Sequence, residues 1–495
     1  MLFNSLSFIF IFLPVTVLGF YLIGSRGYHK VAVSWLVGAS FLFYGYWNPP
    51  YFLLLLGSIL FNYSTGILLS KKQGKGILTV GIAANLGLLG YFKYSNFFVD
   101  NINALIGSDI VFEQVILPLA ISFFTFQQIT YLVDLYRGES RENSFLHYCL
   151  FVSFFPQLIA GPIVHHREML PQYAKDTLYK LKPENLSVGA TIFIIGLFKK
   201  IVLADGMASF ANPIFAQAEL SEPLTFLGAW AGALAYTLQL YFDLSGYADM
   251  AIGIARMFGI ILPANYLSPY KATNIIEFWR RWHMTLSRFF RDYLYLPLGG
   301  NQKGVIGNMC NLLIVMLLGG LWHGASWKFV IWGGLHGMCL AINHGFRSFR
   351  RSLGHDLSKT NILGLGVSWV LTFSVIVFAW TIFRSESING AHNMFQTMLG
   401  LNGLHFPEFV DYQLLGTLCF LLFVVCFMPS TQEYLLKYNP SLNIYSGKAE
   451  TSKRHWIFQY NPSSFAHILF VLMMAVLSIV VMMSNRPTEF LYYNF

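Results

Sequence analysis

Long apolar runs separated by short polar loops fill almost the whole chain. They fall at approximately 5–24, 32–47, 51–69, 77–92, 112–133, 145–163, 187–204, 222–242, 245–262, 309–320, 325–343, 361–383, 412–429 and 466–484. Runs of this kind predict membrane helices, because about 20 apolar residues carry a helix across the hydrocarbon core. Some are short enough to be re-entrant, so the expectation is about eleven to thirteen crossings. The basic loops 25–31 (Arg26, Lys30) and 70–75 (Lys71, Lys72, Lys75) belong in the cytoplasm, with a span pair broken at Asn48-Pro49-Pro50 between them; the N-terminus then lies outside. The alternation leaves 93–111 outside and 134–144, with Arg137 and Arg141, inside. A full crossing by 145–163 would put the Lys-containing segment 164–185 outside, so Pro156 and Gly161-Pro162 predict that this run dips in and returns. The loops 347–358 (Arg347, Arg350, Arg351, with Lys359 beside them) and 436–456 (Lys437, Lys448, Lys453, Arg454) also read as cytoplasmic.

Composition agrees with the pattern. Of 495 residues, 55% are hydrophobic and 11% charged, far below the roughly 25% charged of a soluble domain. The mean hydropathy is +0.54. The net charge of +9 does not indicate nucleic acid, because the positive residues sit in short loops between apolar runs, where they face the cytoplasm and its lipids. Cys149, Cys310, Cys339, Cys419 and Cys426 lie in or beside apolar runs and form no CxxC, so they read as small buried hydrophobes. The first apolar run lacks a preceding basic region and reads as a membrane helix rather than a cleaved signal. No tandem repeat, phosphate loop or metalloprotease motif interrupts the pattern. The expectation is an all-α polytopic protein with a single membrane-embedded domain over 1–495.

Against this background a few polar residues stand out. His323 lies in Gly319-Gly320-Leu321-Trp322-His323-Gly324-Ala325-Ser326-Trp327, where the glycines permit close backbone approach and Trp322 and Trp327 are candidates to wall a cavity. An ionisable group in such surroundings is either a bonded core histidine or a reactive one. His336 and His344 do not share its helical face. Residues 277–293, read as one amphipathic helix, put Arg280, His283, Ser287 and Arg291 on one face and Trp282, Leu286, Phe289 and Tyr293 on another. The arginines, Arg281 and Arg288 among them, either anchor the helix to lipid phosphates or line a site for an anionic ligand. Asp243 and Asp249 lie between apolar runs and need partners, an arginine or hydroxyl from 280–291 being the expected one. Gln127 and Gln128 are expected to be hydrogen-bonded inside the bundle.

The segments LPLAISFFTFQ (117–127), FFPQLIAGPIV (154–164), YFDLSGYADMAIG (241–253), FWRRWHMTLSRFFRDYLYLPLGG (278–300), LLGGLWHGASW (317–327) and FLYYNF (490–495) together resemble the membrane-bound O-acyltransferases. The resemblance is to the bacterial branch that contains the alginate O-acetyltransferase membrane subunit and the teichoic-acid D-alanyl transferase. It implies a helical bundle around a central tunnel, with His323 as the active histidine and His283 as the second polar site. Ala120 departs from the pattern, which has glycine there.

The resemblance also implies a chemistry. A neutral imidazole can take the proton of an acceptor hydroxyl as it attacks a thioester carbonyl, and His283, an indole N–H or a backbone N–H near Gly324 could serve the oxyanion. The expected donor is acetyl-CoA, held by Arg280, Arg281, Arg288 or Arg291; no tightly bound cofactor and no metal is implied. The expected acceptor is an extracytoplasmic transferase or acceptor protein that serves a polysaccharide such as alginate, from the bacterial inner membrane. D-alanyl transfer from a carrier protein, a transporter and a non-catalytic assembly subunit are the alternatives.

Overall fold

The computed structural model describes residues 2–47, 49–113, 115–139, 144–356, 361–405, 411–443, 460–461, 464–484 and 491. Asn48, Arg141, Lys359, Lys448, Lys453, Arg454 and the FLYYNF end apart from Leu491 lie outside the described residues. Those described are helical and contain no β-strand, only an isolated parallel bridge between Pro263 and Leu442.

The first half holds α1 (Leu13–Gly24), α2 (His29–Gly45), α3 (Pro49–Lys71), α4 (Lys75–Ile106), α5 (Ile121–Tyr136), the short α6 (Phe145–Ser153), α7 (Phe155–Leu158) and α8 (His166–Tyr173), and α9 (Pro183–Phe198). The second half holds α10 (Asp205–Glu219), α11 (Phe226–Met257), α12 (Ile275–Arg281), α13 (Met284–Phe290), α14 (Gly304–His323), α15 (Trp327–Ser352), α16 (Ile362–Arg384), α17 (Ile388–Met398), α18 (Tyr412–Phe427), α19 (Thr431–Tyr434) and α20 (Phe465–Met483). Six helices among the described residues are long and apolar enough to cross a membrane: 49–71, 75–106, 183–219, 304–323, 362–384 and 465–483.

Several expected boundaries move, each for a local reason. The run 77–92 and most of the expected outer loop, 93–106, form the single helix α4, which ends only at the left-handed Gly107 (φ 64°). The runs 222–242 and 245–262 are also one helix, α11. Gly246 does not turn the chain there. A Cβ on it would lie 2.7 Å from the Gly196 carbonyl oxygen, and Gly253 stands in the same relation to Gly189 at 2.6 Å. Two glycines seven residues apart on each helix thus let α9 and α11 touch backbone to backbone. The run 145–163 breaks at Phe154 into α6 and α7, with Pro156 in the first turn of α7, as a proline-interrupted segment should. Residues 111–113 and 115–119 are not helical, and Ala120 caps α5 with φ 64°, the left-handed conformation that glycine adopts freely and an alanine enters at roughly 1 kcal/mol or more.

α11 lies at the centre: every residue from Ala235 to Met257 is buried, so the helix has no lipid stripe. Its buried carboxylates are neutralised from α9's end rather than from 280–291. A π-helical stretch over Lys199–Ala204 turns two consecutive lysines toward it. Lys199 Nζ meets Asp249 Oδ2 at 2.7 Å, and Thr431 and Gln432 donate to the same carboxylate at 2.6 and 3.0 Å. Lys200 Nζ meets Asp243 at 2.5 Å and Asp205 at 2.9 Å. The Leu491 N–H also donates to Asp243. Gln128 pairs with Ser58 through two hydrogen bonds, whereas the side-chain oxygen of Gln127 finds no hydrogen-bond partner among the described residues.

Candidate active site

His323 is the last residue of α14. The chain must reverse immediately to start α15, and glycine makes this possible. A Cβ on Gly324 would fall 2.2 Å from the Phe329 ring, and one on Gly320 2.1 Å from the Phe329 carbonyl oxygen. Gly333 packs against the Met316 carbonyl at 2.2 Å by the same measure, so the two helices run together at backbone contact. The imidazole packs edge-on against Trp322, Trp332 and Phe383, with ring centroids 4.9, 5.2 and 5.2 Å away. Trp327, expected as a wall, is 55% exposed and donates its indole N–H to Asn101 at 2.8 Å. Because α15 begins at Trp327, five more residues turn the helix by about 140°, and Trp332 takes the wall position.

His283 does not sit on the face of a continuous helix. The chain breaks between α12 and α13, and His283 occupies the break with φ 44° and ψ 51°. Asn265 holds this geometry: its carbonyl accepts from Met284 N–H, and its side-chain oxygen accepts from the N–H and hydroxyl of Thr285. A non-glycine residue in this region of backbone space is uncommon and points to a constrained site. The break aims a buried imidazole inward, where it lies 6.2 Å from the Trp322 ring. Both histidines therefore share Trp322 as a neighbour.

The arginines separate for the same reason. Arg281 pairs with Glu277 one turn earlier, Arg291 with the adjacent Asp292, and Arg288 makes a two-pronged contact with Glu168 at 2.6 and 2.9 Å. Arg280 alone of the four reaches an open polar cavity. This cavity, of about 380 Å³, is also lined by Tyr295, Asn301, Asn308, His344, Arg347, Ser348 and Arg351, and no acidic side chain lines it. Arg280, Arg347 and Arg351 have no ion-pair partner among the described residues. His344, just beyond the apolar run, has its imidazole pushed down by burial and then by Arg347, Arg280 and Arg351, which shows the sign of the local field.

A second cavity, of about 270 Å³, is lined by His323 and Trp322 together with Trp47, Lys93, Ser122, Phe123 and Ile159. The two cavities share no lining residue. They lie at opposite ends of α14, since Asn308 and His323 are separated along it by about 22 Å of helical rise. The intervening space holds Trp279, Trp332, His336 and Trp380, with His336 5.1 Å from Trp279 and 4.7 Å from Trp332. Trp332 and Lys93 carry no sequence expectation, and His336, set apart from His323 by helical face, comes near it through Trp332. Lys93 offered a signal in being a lone charge inside Leu88–Phe97, but the apolar run was ended just before it.

Residues 76–383, which contain both histidines, match the membrane-bound O-acyltransferase family. A peptidoglycan O-acetyltransferase of Helicobacter pylori is 45% identical over 434 residues, covering 82% of this chain and 81% of that protein. A probable alginate O-acetylase of Pseudomonas aeruginosa is 39% identical over 448 residues, covering 88% and 82%. The teichoic acid D-alanyltransferase of Streptococcus thermophilus is more distant, at 26% over 285 residues, covering 54% and 68%. With a family match over more than half its length and relatives this similar along most of theirs, the chain belongs to the membrane-bound O-acyltransferases and is an acyltransferase of the multi-pass membrane type.

Proposed function

We propose that the protein is an O-acetyltransferase of a bacterial inner membrane. It takes an acetyl group from acetyl-CoA on the cytoplasmic side and passes it to an acceptor hydroxyl on the other side, for O-acetylation of a polysaccharide such as alginate or peptidoglycan. The observation that carries this reading is the pairing of two unlike cavities at the ends of α14: a basic one with Arg280, Arg347 and Arg351, and one lined by His323. Guanidinium groups suit the phosphates of a CoA donor, and a histidine suits proton removal from an alcohol. Arg347 and Arg351 lie in the basic last turns of α15 rather than in a loop, and the positive-inside rule puts that end in the cytoplasm.

The chemistry assigns one role to each group. The acceptor hydroxyl loses its proton to the imidazole of His323 as its oxygen bonds to the thioester carbonyl carbon, giving a tetrahedral oxyanion and an imidazolium. Collapse breaks the carbon–sulfur bond, and the leaving thiolate takes the proton back from His323. To His283, held inward by its backbone break, falls the hydrogen bond to the oxyanion in this scheme. Because the described residues include no soluble domain to hold a polymer, a separate extracytoplasmic transferase or acceptor protein completes the modification. The similarity to D-alanyltransferases covers about half the chain at lower identity, which gives a D-alanyl carrier donor less support.

The test uses purified protein with radiolabelled acetyl-CoA or a charged D-alanyl carrier, followed by identification of the labelled acceptor. His323→Ala, present at normal membrane levels, is expected to fall to background with acetyl-CoA. Undiminished transfer by that variant refutes the assignment of His323, and transfer only from the carrier refutes the donor.

A further inference from the structure

The turn that carries His323 has an exposed electrostatic problem. A helix ends with several carbonyls that have no intrahelical donor, and here Gly324 follows in an extended conformation (φ −170°, ψ 151°) that supplies no backbone cap. The donors come instead from two adjacent residues of α4, far away in sequence. Tyr94 donates its hydroxyl to the Leu321 carbonyl at 2.9 Å. The Lys93 ammonium donates to the Trp322 carbonyl and stands 3.4 Å from the His323 carbonyl. The three last carbonyls of α14 are thus tied to one point on α4. The lysine also stands over the Trp322 ring, 5.6 Å from its centroid.

We propose that Lys93 is a positioning residue for His323, acting by holding the α14 terminus and its last two peptide planes against α4. Three features favour this role over that of a lysine reaching out toward lipid headgroups. The ammonium is bonded to backbone at the base of the site. As an ammonium it stands at the negative end of a 20-residue helix, where a cation is stabilising. It also lines both the His323 cavity and a neighbouring cavity of about 360 Å³ bounded by Asn96, Gly324, Ser326, Lys328 and Glu386. Lys93, together with Leu117, therefore forms the wall common to the two spaces that flank the turn. The opposite side of the turn is fixed by contacts of Gly320 and Gly324 with Phe329; on the α4 side Tyr94 holds the Leu321 carbonyl and Asn101 the Trp327 indole, and Lys93 is the α4 donor to the two carbonyls between them.

The inference rests on the reading of His323 as the base, and the experiment separates the two. Full-length Lys93→Ala, Lys93→Gln and Lys93→Arg proteins are compared with wild type and His323→Ala in acetyl transfer, with kcat and KM for the donor determined apart. Since an active group misplaced by 1 Å can cost about a hundredfold, Lys93→Ala is expected to lose roughly tenfold to a hundredfold in kcat with KM within about twofold. Lys93→Arg keeps a cation and donors and is expected to stay within about threefold of wild type. Propylammonium added to Lys93→Ala is expected to restore part of kcat, which filling a hole with a neutral propanol should not. Where Lys93→Ala fails to accumulate, Lys93→Gln gives the kcat reading. Wild-type kcat in Lys93→Ala or Lys93→Gln, with His323→Ala inactive, overturns the proposal and leaves the base in place. A loss shared equally by Lys93→Arg and unaffected by the amine also overturns it. Activity in His323→Ala instead refutes the underlying assignment.

Discussion

The contact between α14 and α15 gives a sharp test of how the site is held. In Gly333→Ala the new methyl would lie 2.2 Å from the Met316 carbonyl oxygen and 3.2 Å from the Gly320 Cα. Ordinary van der Waals contact begins at 3.4 Å, so the helices must part by about 1.2 Å at this point. All the listening atoms are backbone, and neither can swing away as a side-chain end would. The adjacent Gly334→Ala is a matched control, because its methyl would meet only Leu317 Cδ2, at 3.5 Å. Both substitutions gain the same helical propensity, about 0.5–1 kcal/mol, so their difference isolates the clash. Overpacking of this kind costs about 1–3 kcal/mol. A displacement of about 1 Å where His323 is seated lowers turnover by as much as a hundredfold. The assay is thermal unfolding of detergent-purified protein by intrinsic tryptophan fluorescence, beside acetyl transfer. Gly334→Ala is expected to match or exceed wild type in both. Gly333→Ala is expected to melt earlier and lose tenfold or more in kcat. Equal stability and equal activity of the two variants would refute the argument that backbone contact at Gly333 positions the histidine.

Two further outcomes follow from charge. Lys200→Met leaves the carboxylates of Asp243 and Asp205 without the cation that bridges them, at a cost of about 3–5 kcal/mol. It should appear as loss of folded protein from membranes, and further replacement of Asp243 by Asn should recover part of it; full accumulation of Lys200→Met would contradict the pairing. In the basic cavity, an anion next to His344 offsets the three guanidiniums that depress its imidazole, so binding raises its affinity for a proton. Donor affinity should then tighten as pH falls through the bound titration and level off below the free one, which burial and the guanidiniums hold under the usual histidine range. His344→Phe should flatten this dependence, and Arg280→Ala with Arg347→Ala should raise the donor KM about tenfold or more. A donor KM indifferent to both changes would remove the cavity from the donor path.

The expected residues and the observed geometry part company where covalent neighbours have different tertiary partners. Within 278–293, helical periodicity put Arg280, His283 and Arg291 on one face. The break at His283 sends the imidazole inward and Arg280 outward, because Asn265 from another segment bonds the backbone there. Periodicity assumes an unbroken helix, and no residue in that stretch is a helix breaker. Asp243 and Asp249 announced their need for partners, but a π-helical stretch decided that Lys200 and Lys199 would meet it. The expected separation of 222–242 from 245–262 does not occur, and the glycines at 246 and 253 serve as helix contacts, which only their facing partners at 196 and 189 reveal.

Local properties were therefore legible from the chain: burial in a membrane from hydropathy, the cost of charge in that interior, and the candidate histidine from its setting and from the resemblance its segments carry. These depend on each residue and its near neighbours. Tertiary structure decided which helices touch, that the basic cavity and His323 stand at opposite ends of α14, and that Lys93 ties down the turn from some 230 residues away. Such pairings arise from packing of backbone surfaces across the bundle, and a one-dimensional pattern holds no record of the distance between them.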